Sequence, residues 1–142
     1  MMIIDAKDLI LGRMATFVAK RLLEGEIVAI VNAEQAVISG RREATFDAYS
    51  AWRDIGSITN PLKGPHHLRK PNDLVRLTVR GMLPFDKPRG KVAYRHLKVY
   101  IGVPAEFKDK KLESLPGAKL EKLGTRRFIR IGELSRHLVV RF

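Results

Sequence analysis

Apolar positions along the 142-residue chain recur with two periods, and the switches between them outline the elements. Met2–Asp5 opens with the apolar run MII, enough to start a buried strand. Leu11, Met14, Ala15, Val18, Ala19, Leu22 and Leu23 then fall at helical spacing, a full stripe that predicts an amphipathic helix. Lys20 and Arg21 stand in its last turn, where they complement the helix dipole, and Gly25 is placed for a left-handed cap. Ile27–Val31, IVAIV, is apolar throughout. That pattern predicts a central parallel strand covered on both faces, and strand, helix, strand makes a βαβ unit.

Asn32–Gly40 holds a turn and a short apolar piece, Ala36–Ile38, that fits an edge strand. Ala44, Ala48, Ala51 and Ile55 share helical spacing, with Phe46, Tyr49 and Trp52 flanking them, which predicts a helix over 43–54. Trp52 at that spacing reads as core rather than as a platform for a base. Periodicity lapses over 56–70, GSITNPLKGPHHLRK, whose glycines and prolines predict a long surface loop carrying Lys63, Arg69 and Lys70 without a carboxylate. The adjacent His66 and His67 point apart on an extended loop and lack further ligands at metal spacing, so they read as polar loop residues. Residues 71–83 fit two patterns. Val75, Leu77 and Val79 alternate as in a strand, while Val75, Val79, Met82 and Leu83 fit a helix. The KPND start, with proline and an acid in a first turn, favours the helix.

The organising stretch is 80–104, RGMLPFDKPRGKVAYRHLKVYIGVP. Arg80, Lys87, Arg89, Lys91, Arg95 and Lys98 face one acid, Asp86, an imbalance that calls for an external anion. Pro88 starts a short helix. Leu97, Val99 and Ile101 then alternate with Lys98 and Tyr100, predicting a strand with these three residues buried. After Pro104 the segment 105–142 is charged and loosely patterned, with a turn at Pro116–Gly117, a short strand within Arg126–Ile131 and a helical turn or two over 132–138.

Charge decides what such a scaffold is for. The 27 Lys and Arg against 15 Asp and Glu give +12 and a pI near 10.4, the electrostatic footprint of a nucleic-acid binder. Residues 1–40 carry four cations against five anions, 41–99 thirteen against five, and 100–142 ten against five. The first segment is therefore scaffold, and the ligand-facing surface comes later, where Arg41 and Arg42 open it. There are no cysteines, which excludes disulfides and thiolate metal sites. No membrane span, signal peptide or lipid anchor is recognisable, so no membrane partner is expected and the chain is expected in the cytoplasm.

Gly12 before the first helix invites comparison with a phosphate-binding loop, but one glycine satisfies neither G-x-G-x-x-G nor G-x-x-x-x-G-K-[ST], so no cofactor and no small-molecule substrate are expected. Arg13 at that helix start reads either as an RNA phosphate contact or as a solvated side chain. The carboxylates Asp5, Asp8, Asp47, Asp54, Asp73 and Asp86 are scattered, mostly beside cations, which argues against a metal-dependent nuclease. A free-standing RNA-binding regulator stays open as an alternative, and an RNA-acting enzyme is the weaker one.

Three stretches, IIDAKDLILGRMATFVAKRLLEG, VNAEQAVISG and RGMLP followed by RGKVAYRHLKVYIG, resemble the universal ribosomal large-subunit protein thirteen family in its archaeal and eukaryotic form. The match covers about residues 3–104, with RGMLP and LKVYIG its most specific parts. The resemblance implies a single three-layer α/β/α domain with a small, mostly parallel sheet of about four strands, and a structural, non-catalytic role in the large ribosomal subunit. Large-subunit rRNA and neighbouring ribosomal proteins would be its partners. It also implies a helix ahead of RGMLP, and rRNA contacts at Arg80, Lys87, Arg89, Lys91, Arg95 and Lys98. Leu77 stands where the resemblance leads one to expect a base, so no RNA contact is carried to it.

Overall fold

A computed structural model describes residues 1–138; the terminal VVRF, part of the expected 1–142 domain, lies outside the described residues. Three parallel strands form the central sheet in the order β1 (Met2–Asp5), β2 (Val28–Val31) and β4 (Leu97–Val99), with β2 in the middle as its unbroken apolar run predicts. The pleat sends Val28 and Ile30 to one face and Ala29 and Val31 to the other, so the four residues of β2 are all buried, in two separate clusters. Ile27 lies one residue before the strand and is exposed.

The larger cluster joins Ile4, Ile30, Leu97 and Val99 to the apolar stripe of α1 (Leu11–Leu23) and to Leu74, Val75 and Val79 of α3 (Pro71–Met82). The stripe on α1 is buried as predicted from Leu11 to Leu22. Gly25, at φ +94°, ends the helix: its N–H donates to the Leu22 carbonyl, and the Glu26 N–H donates to the Arg21 carbonyl. The segment 71–82 is a helix, which settles its two-way pattern, although Met82 is exposed.

On the other face, Ile3, Ala29 and Val31 are covered by Phe107, with Tyr100, Val103 and Leu112 beside it. That outer layer is a 3₁₀ turn, Ala105–Phe107, and extended chain, thinner than the helix layer that an α/β/α sandwich leads one to expect. The free edge of β1 is also covered. Glu113 pairs in parallel with Ile4, exchanging backbone hydrogen bonds with Ile3 and Asp5, and so adds a one-residue rung to the three strands. Ala118 and Lys119 continue along Ile10 and Leu9, which explains how a segment with no period of its own is held.

A separate two-stranded antiparallel ribbon pairs β3 (Val37–Ser39) with β5 (Phe128–Arg130), and α5 (Ile131–His137) follows directly. Two expectations need correction. The helix α2 (Arg42–Asp54) forms where predicted, but Ala44, Ala48, Ala51 and Ile55 are its exposed side; Phe46 and Tyr49 turn inward against the core. Alanine gains little by burial, so the aromatic face takes the inner side. Ile101 is 37% exposed, because β4 ends at Val99 and the chain bends through Gly102 at φ +66°.

Candidate nucleic-acid interface

The turn 83–87 and the helix α4 (Pro88–Arg95) meet at one point that only glycine allows. A Cβ on Gly90 would stand 2.0 Å from the Pro84 carbonyl oxygen, 2.4 Å from its carbon and 3.0 Å from the Phe85 nitrogen. The turn is thereby pressed onto the helix. Above that close approach, the Phe85 ring meets the Tyr94 ring edge-on, with centroids 5.6 Å apart. The Arg80 guanidinium lies 4.1 Å from the Phe85 centroid, and that of Arg76 lies 5.2 Å from Tyr94. Two cations from α3 are therefore held on aromatic faces and, among the described residues, by no carboxylate. Such contacts contribute about 0.5–1 kcal/mol at exposed sites, enough to orient a guanidinium while leaving its charge free.

The electrostatics of α4 point the same way. Its first turn holds no acid, whereas Lys87 caps it and Arg89 and Lys91 follow, at the end where the helix dipole is positive. Each cation there is disfavoured by about 0.3–1 kcal/mol at the surface, so an anion outside the chain is the group that would relieve them. Among the described residues, no carboxylate pairs with Arg80, Lys87, Arg89, Lys91, Arg95 or Lys98. All six are exposed. Lys98 projects from β4 opposite to the buried Leu97 and Val99.

The twelve cations singled out from sequence do not form one set. Arg89 also donates from Nη2 to the Leu23 carbonyl at 3.2 Å, tying α4 to the end of α1. Arg13 donates to the Lys122 carbonyl at 3.3 Å. Arg42 pairs with Glu133 at 2.6 Å and stacks over Phe46 at 5.2 Å. Arg41 is exposed at the start of α2, not on α3 or α4. Lys63, Arg69 and Lys70 are exposed on the irregular 56–70 segment, which includes a 3₁₀ turn at Pro61–Lys63. That segment is fastened near its end by His67, whose Nε2 lies 2.6 Å from the Ile55 carbonyl oxygen and whose ring meets Trp52 edge-on at 4.5 Å. Trp52 is half-buried rather than core. It lines a groove with Tyr49, Leu74 and Leu77, so Leu77 faces apolar neighbours.

Sequence reasoning left out Arg76, Arg126 and Arg127. In the 71–83 stretch both competing patterns are carried by the apolar residues, so neither singles out Arg76. The RR doublet at 126–127 is as visible as the one at 41–42 and opens the stretch read as a short strand, which forms as β5, but the spacing there carries no site motif.

Residues 1–106 match the family model described as ribosomal protein L13. The chain is 46% identical over 142 residues to a protein of Methanococcoides burtonii named large ribosomal subunit protein uL13, covering all of both chains. It is 42% identical over 144 residues to the protein of that name from Methanocaldococcus jannaschii, again over both full lengths. With that of Archaeoglobus fulgidus it shares 44% identity over 137 residues, 96% of this chain and 86% of the relative.

Proposed function

The chain belongs to the ribosomal protein L13 family and is a structural component of the large ribosomal subunit; we propose that it grips folded rRNA chiefly through the α3–α4 surface. Arg80, Lys87, Arg89, Lys91, Arg95 and Lys98 are its contacts there, and Arg13, Arg41, Arg42, Lys63, Arg69 and Lys70 are further rRNA contacts outside that surface. Its place is the cytoplasm, with the ribosome. The role is architectural, not catalytic, and its partners are rRNA and neighbouring large-subunit proteins.

The observation that carries this reading is the first turn of α4, where cations accumulate against the helix dipole with no acid to balance them. Phosphate supplies the missing charge, and positioning by phosphate contacts suits a structural protein that needs no base sequence. Arg89 has two tasks here. Its Nη2 donates to the Leu23 carbonyl at the end of α1, while the side chain as a whole stays exposed and keeps further donors of its guanidinium fork for a phosphate.

The test is sedimentation of a lysate through a sucrose gradient at low and high salt. The protein should travel with the large subunit at about 0.1 M salt and leave it progressively as the ion atmosphere competes for phosphate. Migration at the top of the gradient at every salt concentration contradicts the assignment.

A further inference from the structure

A second basic cleft lies where β3 hands over to α2. Gly40, at φ +133°, turns the chain sharply between the two elements, and its N–H donates to the Arg127 carbonyl at 2.9 Å. This bond holds the doublet Arg41–Arg42 beside the doublet Arg126–Arg127 from a distant part of the sequence. The resulting cleft has a volume of about 560 Å³ and is lined by those four arginines, Glu43 and Phe128. It shares no element with the α3–α4 surface.

Its charge is mostly uncompensated. Among the described residues, Arg42 alone of the four has a carboxylate partner, Glu133, and that pair is solvent-exposed, with side-chain exposures of 61% and 37%. An exposed pair of this kind contributes only about 0–1 kcal/mol. Arg41, Arg126 and Arg127 have no side-chain partner among the described residues. Two features point to the ligand class. The cations are all arginine, whose planar fork matches a phosphate with two parallel hydrogen bonds. Phe128 leaves over a third of its surface open beside them, a flat apolar face that an unpaired base can stack on.

We propose that this cleft is a second RNA-binding site, taking a phosphate backbone on Arg41, Arg126 and Arg127 and an unstacked base on Phe128, so that the domain holds two separate rRNA segments. The inference rests on the reading of rRNA as the ligand. The ribbon makes it mechanically sensible: β5 is paired with β3 and runs into α5, whose Ile131 and Leu134 are buried in the main core, as is Leu138 just after it. The two RNA-facing surfaces are thus joined through packed structure and not through a loop.

The experiment uses the full-length protein and rRNA extracted from large subunits, with filter binding over a salt series and hydroxyl-radical footprinting. The wild type should protect two separated stretches of rRNA. Arg126→Gln with Arg127→Gln should lose protection of one stretch and keep the other, and should lower the log–log salt slope by about two. A matched Arg126→Lys, Arg127→Lys protein keeps the point charges, and should keep most of the slope while binding several-fold more weakly. It also stands in if the glutamine variant fails to fold. Unchanged affinity, slope and footprint in the variants overturn the second site while leaving the first intact, as does a cleft that binds polyglutamate but protects no RNA. Failure of the wild type to bind rRNA at all refutes the underlying functional reading instead.

Discussion

Replacing Gly90 by alanine adds one methyl group where backbone already stands. The nearest atom, the Pro84 carbonyl oxygen, would be 2.0 Å away, about 1.4 Å short of the 3.4 Å at which ordinary van der Waals approach begins, and the next two neighbours are backbone atoms as well. No rotamer change can relieve that, so the turn must lift from α4 and pull Phe85 from its place between Arg80 and Tyr94. Two effects compete. Alanine in a helix is favoured over glycine by up to about 1 kcal/mol, whereas forced overpacking costs about 1–3 kcal/mol and occasionally more. With three backbone atoms in the way, the steric term should win by about 2 kcal/mol, which lowers the melting temperature of a domain this size by roughly 6 °C. Gly81→Ala is the control, nine positions earlier. Its Cβ would meet nothing within 4 Å, so it should hold or raise the melting temperature by about 1–2 °C. Thermal unfolding followed by circular dichroism separates the cases. If Gly90→Ala melts at or above the wild type, or if both variants fall together, the close approach is not what positions the turn.

Two further outcomes follow from local structure. The amides of 57–66, whose hydrogen bonds are confined to short turns such as Lys63 to Asn60 and Gly64 to Pro61, should exchange within seconds in the free protein and slow when rRNA is bound; strong protection without RNA contradicts this. Burial raises the Tyr49 hydroxyl above its ordinary value of 10.0, so the fold prefers the neutral form. That preference contributes full stability below about pH 10 and is lost as pH rises through the raised folded value. Tyr49→Phe should therefore flatten the alkaline fall in melting temperature, and an identical fall in both proteins argues against it.

The parts of the fold that rest on one strong period were legible. The stripe from Leu11 to Leu22 and the run from Val28 to Val31 each have a single arrangement that buries them. Where two patterns competed, side-chain size decided. On α2 the small residues kept perfect spacing, yet Phe46 and Tyr49 had more surface to hide and took the inner side. The alternation through Ile101 ran past the strand because periodicity carries no information about the bend at Gly102. The layer made by Phe107 and the edge rung at Glu113 could not be read, since each depends on packing or pairing with residues about a hundred positions away. The same holds for the cations. Their identities were plain in sequence, but not the internal partners of Arg13, Arg42 and Arg89, nor the arrival of Arg126 and Arg127 beside Arg41.

The central claim is that the α3–α4 surface binds rRNA by unpaired charge, and the most direct test is the salt dependence of rRNA binding for a protein carrying Lys91→Gln, Arg95→Gln and Lys98→Gln. These three are exposed and, among the described residues, paired with no carboxylate, so their removal should leave the melting temperature within a few degrees of the wild type. The slope of log affinity against log salt should become shallower by about three, one for each phosphate no longer neutralised. A slope and affinity equal to those of the wild type would contradict the claim and move the RNA-binding surface elsewhere on the molecule.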